Sequence, residues 1–103
     1  MSRVRVCAKG ELPDDGAARV MLDGIPVAVF FHGGEYYALA DTCSHEESSL
    51  SEGLIEDGEV ECPKHGSLFD LKTGRALTLP ATRPVATYAV RVEGDEIYVE
   101  STS

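Results

Sequence analysis

Positive charge is scarce in this chain: nine Lys and Arg stand against eighteen Asp and Glu, giving a net charge of -9 and a pI near 4.6. Nucleic acid and anionic membrane surfaces repel such a protein, so neither is expected as a partner. An acidic small protein instead suits transient docking onto basic patches of other proteins, where long-range attraction speeds encounter and salt weakens it. The same charge also serves solubility. No apolar run approaches the length that spans a bilayer, and the opening Met1-Ser-Arg-Val-Arg-Val-Cys lacks the apolar core of a signal peptide, so a cytoplasmic location is expected. Helical periodicity is missing too: no stretch of more than about ten residues carries an apolar stripe at that spacing. Nor is there a repeat, a linker or a low-complexity segment. The 103 residues are therefore expected to form one domain, 1–103, with no room for a separate catalytic domain.

What is present has a period of two. Val4, Val6 and Ala8 alternate as a strand does, and the polar stretch from Lys9 to Gly16 reads as a loop. Arg19 to Leu22 and Ile25 to Phe31 flank Asp23-Gly24, a hairpin signal. Gly33-Gly34 turns the chain into Tyr36 to Ala40, completing a meander. Further on, Glu59-Val60-Glu61, Leu68-Phe69-Asp70, Val85 to Val92 and Ile97 to Val99 read as short strands, the last two joined by the turn Glu93-Gly94-Asp95-Glu96. The two prolines of the segment Leu77–Pro84 remove backbone donors and make it an extended loop. The fold class is all-β, a barrel or sandwich of short antiparallel strands.

Cysteine and histidine are also few, three of each, yet two of each are paired at short spacing. Cys43-Ser44-His45 stands before sixteen residues that end at Cys62-Pro63-Lys64-His65-Gly66-Ser67. Each loop offers one thiolate and one imidazole, a four-ligand metal site. Two cysteines and two histidines match a [2Fe-2S] centre in which histidines replace the cysteines on one iron. They also match a tetrahedral zinc site, although zinc modules usually pair Cys with Cys and His with His, and the mixed pairs here favour the cluster. Leu50, Leu54 and Ile55 are placed so as to cover the site from inside, and the two ligand loops are expected at the tips of adjacent hairpins. With two cysteines used as ligands, Cys7 is left without an intramolecular disulfide partner, in keeping with a reducing compartment. Its alternation with Val4, Val6 and Ala8 makes it a small buried or edge-strand side chain. His32, beside Gly33-Gly34, is read as a turn residue, and Glu46 and Glu47 as solvated charges near a docking face.

The pattern C-x-H, sixteen residues, C-x-x-H-G-S resembles the Rieske ligand motif, and the order of strands agrees with that family over essentially the whole chain. The resemblance implies one [2Fe-2S] cluster of Rieske type held by Cys43, His45, Cys62 and His65, at a two-loop tip covered by a proline loop matched here by Pro80. It implies neutral imidazoles whose exposed edges pass the electron to a docked partner. The respiratory and photosynthetic branch carries two further cysteines where Ser48 and Lys64 stand here, so its loop-to-loop disulfide cannot form. That branch also has a tyrosine at Phe69, a donor to a ligand sulfur whose loss lowers the potential, whereas Ser67 is retained. Phe69 reads equally well as core.

A short chain with no disulfide and no anchor is similar to the Rieske-type ferredoxins of bacterial aromatic-ring dioxygenase systems. The implied function is that of a one-electron carrier between an NAD(P)H-dependent flavin reductase and a terminal oxygenase, with no organic substrate bound and no catalysis of its own. The Rieske-type small subunit of a larger reductase, such as nitrite reductase, and a zinc-stabilised interaction module are the alternatives. An oxygenase in its own right is disfavoured, because only His32 lies outside the motif and a mononuclear iron triad needs two histidines and a carboxylate.

Overall fold

The computed structural model describes residues 3–41, 49–63, 66–78 and 83–100. Among these residues are nine strands in chain order: β1 (Arg3–Ala8), β2 (Gly16–Leu22), β3 (Ile25–His32), β4 (Glu35–Ala40), β5 (Ile55–Glu56), β6 (Glu59–Glu61), β7 (Leu68–Asp70), β8 (Thr87–Glu93) and β9 (Glu96–Glu100), with one 3-10 turn at Leu50–Glu52. They form two antiparallel sheets. The larger has the order β1-β9-β8-β4-β3-β2, and its outer strands β1 and β2 approach one another, so that it curls towards a barrel. The smaller is β5-β6-β7. Among the described residues no helix is long and apolar enough to cross a membrane.

β3 explains how the sheets stack. Its run Val27-Ala28-Val29-Phe30 is fully buried, which a strand with one face in water would not be. Alternation sends Val27 and Val29 into the curled sheet, beside Leu12, Leu22, Ala38 and Val99. Ala28 and Phe30 point the other way, to a second core shared with Leu39, Leu50, Val60, Cys62, Phe69, Leu71 and Val85. The small sheet thus exists to cover the back of β3 and β4. Fully burying side chains of this size contributes roughly 1.5–3 kcal/mol each, so neither core is dispensable.

Three expectations need correcting. The first ligand loop is no hairpin tip. β4 is already paired on both edges, with β3 and β8, so the chain after Ala40 finds no free edge and crosses to the second sheet. Leu54 does not cover the site from inside; it is 75% exposed, whereas Leu50 is buried and Ile55 packs on the core from its margin. β2 starts at Gly16 rather than near Arg19, because Gly16 pairs with Phe31 and the Asp15 amide donates to the Phe31 carbonyl. Cys7 lies half-buried on β1 at the sheet edge, and burial pushes its thiol pKa up.

His32 ends β3, and its Nδ1 meets Asp15 Oδ1, while Asp14 accepts from the Gly33 amide. The hydrogen bond to Asp15 is the main cause that raises the His32 pKa above its ordinary value; partial desolvation opposes it, and the charges of Asp15, Asp14 and Asp57 add to it. A raised folded-state pKa means that the contact contributes fully below about pH 6.5 and is lost as pH rises through the folded value. We expect the His32 ring to titrate above 6.5 by NMR in the native protein and to fall towards it in Asp15→Asn; a native value at or below 6.5 would show that the clasp is not formed in solution.

Candidate metal centre

Three loops leave the cores close together, each shut at its base by hydrogen bonds. The first base is Asp41. Its amide donates to the Pro26 carbonyl (3.0 Å), its carbonyl accepts from the Leu50 amide (2.7 Å), and its Oδ1 accepts from the Ser51 amide (2.9 Å). Its Oδ2 accepts from Arg19 Nε at 3.0 Å. One carboxylate, 1% exposed, therefore joins the end of the large sheet to the start of the small one and closes the loop 42–49. Burying a carboxylate is costly unless it is hydrogen-bonded, and here both oxygens are.

The second base is the hairpin between β6 and β7. Val60 pairs with Phe69 facing inward, Glu61 with Leu68 facing outward, and the next pair, Cys62 with Ser67, faces inward again. The Cys62 amide donates to the Ser67 carbonyl (2.7 Å), and the Gly66 amide donates to the Cys62 carbonyl (2.8 Å). Gly66 has φ +73, a left-handed conformation that closes this tight tip and favours glycine.

The third base joins the ends of the segment 75–86. The Leu77 amide donates to the Leu68 carbonyl and the Val85 amide to the Gly74 carbonyl, both at 2.8 Å. Gly74, at φ +76, lies so close to Val85 that a methyl group would collide with the Val85 carbonyl oxygen. Leu50, Cys62, Phe69 and Val85, one or more from each base, meet in a single core, which brings the bases of the three loops together.

Of the four expected ligands, Cys62 is among the described residues, and Cys43, His45 and His65 lie outside them, as do Pro80, Glu46, Glu47, Ser48 and Lys64. Cys62 is fully buried beside the equally buried Ser67. A thiolate ligand withdrawn from water needs a compensating cation, and a metal supplies one, so the position fits a metal-held sulfur. Phe69 is fully buried among Val60, Leu71 and Val85 and serves the core. The residue that sequence reasoning missed is Asp41, whose signal was weak: a lone Asp ending an apolar strand.

A family model for the Rieske [2Fe-2S] domain matches residues 2–89. The chain belongs to the Rieske family. Its relatives include the 3-phenylpropionate/cinnamic acid dioxygenase ferredoxin subunit of Escherichia coli (strain K12), 48% identical over 97% of this chain and 94% of that one. The ferredoxin of carbazole 1,9a-dioxygenase from Nocardioides aromaticivorans IC177 superposes with a TM-score of 0.91, at 37% identity over 96% of this chain and 97% of that one. A ferredoxin solved as a complex of reduced oxygenase and oxidized ferredoxin in carbazole 1,9a-dioxygenase matches with a TM-score of 0.89, at 38% identity over 94% and 91% of the two chains. This Rieske ferredoxin carries one Rieske-type [2Fe-2S] cluster and is an electron-transfer component rather than a catalyst.

The Asp41 clasp generates a stability prediction. Asp41→Ala strands the Ser51 amide and the Arg19 guanidinium and is expected to cost about 2–3 kcal/mol in urea denaturation, with faster bleaching of the visible cluster bands. Arg19→Ala leaves Oδ2 of the buried Asp41 carboxylate without its charged partner and is expected to cost a comparable amount, about 2–3 kcal/mol, whereas Arg19→Lys keeps the charge and is expected to recover most of that loss. A loss below about 1 kcal/mol in Asp41→Ala would show that the clasp does not hold the base of the loop.

Proposed function

We propose that this Rieske ferredoxin carries single electrons from an NAD(P)H-dependent flavin reductase to the terminal Rieske non-heme iron oxygenase of an aromatic-ring-hydroxylating system. The observation that supports it most is the 48% identity, end to end, with a ferredoxin subunit of such a dioxygenase. The solved complex of an oxygenase with a similar ferredoxin supports the oxygenase as partner. The whole chain, 1–103, acts as one domain in this reading, and it works in the cytoplasm, where a chain with three cysteines and no disulfide among its ligands keeps its thiols.

Cys43 and Cys62 would hold one iron as thiolates, and His45 and His65 would hold the other as neutral imidazoles. The cluster supplies a one-electron couple. The chain's residues set its conditions. Two neutral ligands leave the site less negative than four thiolates would, which eases the arrival of an electron. Ser67 is buried beside Cys62, and in this reading its hydroxyl donates to a cluster sulfur and so favours the reduced state. The core beneath, Leu50, Phe69 and Val85, keeps water off the sulfur side, and in this reading His45 and His65 pass the electron to the partner.

The test is reconstitution. With NADH, a flavin-dependent ferredoxin reductase and the terminal oxygenase of the 3-phenylpropionate/cinnamic acid system, the protein is expected to reduce the oxygenase and sustain product formation, and its omission to stop both. Reduction of the protein by the reductase without onward transfer to any aromatic-ring oxygenase tried would contradict the proposal.

A further inference from the structure

From Val20 to Pro63 the chain has no lysine or arginine, yet it holds ten of the eighteen Asp and Glu. The ion pairs of the described residues gather elsewhere: Arg3 with Glu93, Arg5 with Glu96, Arg91 with Glu100, and Arg19 with Asp41. On the large sheet, then, negative charge is answered locally. Among the described residues, none of these ion pairs involves Glu56, Glu59 or Glu61 of the small sheet.

The register of the small sheet shows what its outer face presents. Glu61 pairs with Leu68, and the Glu61 amide donates to the Leu54 carbonyl at 2.9 Å. The Leu77 amide donates to the Leu68 carbonyl, one step from the bridge of Phe69 with Ala76. Leu54, Glu61, Leu68 and Leu77 therefore form one row across the sheet, all on the side opposite buried Val60 and Phe69. Leu54 is 75% and Leu77 39% exposed. This row is the last before Cys62, so an apolar stripe in water borders the cluster end. Behind it Glu56 and Glu59 stand directly opposite each other. Like charges in register weaken a strand pair, and a two-residue strand has little to set against that. The arrangement costs the isolated fold stability, and a docked cation would relieve it.

Resting on the function proposed above, we propose that this outer face, the row Leu54-Glu61-Leu68-Leu77 backed by Glu56 and Glu59, is the docking surface for the terminal oxygenase, which meets it with an apolar patch bordered by lysine or arginine. A second copy of this chain is a poor occupant, because its own face would bring carboxylates against carboxylates. The leucines provide the desolvated centre of the contact and the carboxylates its steering rim, so each is expected to leave a different kinetic mark.

The experiment measures binding of the holoprotein to the same oxygenase and reductase preparations by surface plasmon resonance over a range of salt. Reconstitution with the unsubstituted protein comes first; failure there removes the partner and overturns both readings. Given a working wild type, Leu54→Ser is expected to raise the Kd for the oxygenase about tenfold, chiefly through faster dissociation. Glu56→Gln with Glu59→Gln is expected to slow association about tenfold at low salt and to flatten its salt dependence. Both variants keep the visible spectrum and the midpoint potential, and Val92→Ser, an exposed apolar change at the far end of β8, leaves binding unchanged. Unchanged oxygenase binding in both small-sheet variants, or a loss confined to the reductase, would overturn the assignment while leaving electron transfer itself in place.

Discussion

The double burial of β3 is the constraint on which the rest depends. A strand with Val27 and Val29 on one face and Ala28 and Phe30 on the other needs a cover on each side. The curled large sheet provides one. The other has to come from residues beyond β4, and the small sheet answers that need with Leu50, Val60, Phe69 and Leu71. Cys62 sits in the same core, so the expected ligand sulfur is placed by the packing that stabilises the fold. Loss of the small sheet would strip both the back of β3 and the floor of the metal site.

The loops that leave this core are closed by short-range contacts, and the donors at their bases are backbone amides, joined at Asp41 by the Arg19 guanidinium. Asp41, the Cys62 to Ser67 pair and the Gly74 to Val85 contact each fix where a loop starts and where it returns. A cluster held from two loops asks for this, because an electron carrier gains from small rearrangement at its metal ligands. The charge pattern divides along the same boundary. Among the described residues, arginines compensate the acidic residues of β8 and β9, and no such pair involves Glu56, Glu59 or Glu61 of the small sheet.

Much of this was legible in the sequence. The mixed Cys and His pairs, with the strand order around them, identified the family, and the Asp23-Gly24 and Gly33-Gly34 turns located the meander that the structure contains. What escaped was the assignment of strands to sheets. A period of two tells that a residue alternates between faces; it does not tell which sheet the strand joins, so the crossover after β4 read as a hairpin. Leu54 was misread for a related reason: an apolar residue between two ligand loops looks like a lid, and only the pairing of Glu61 with Leu68 shows that its row faces water. Asp41 was invisible because its role comes from residues distant in sequence, Arg19 and Pro26 on one side and Ser51 on the other.

The central claim is that two cysteines and two histidines of this chain hold a [2Fe-2S] cluster. The most direct test is iron and acid-labile sulfide analysis of protein purified without oxygen, together with EPR of the dithionite-reduced sample. The account predicts iron and sulfide in equal amounts and the rhombic signal of a histidine-ligated cluster, absent when His45 or His65 is replaced by alanine. A colourless protein with stoichiometric zinc, or an all-cysteine type signal that survives both histidine substitutions, would contradict it.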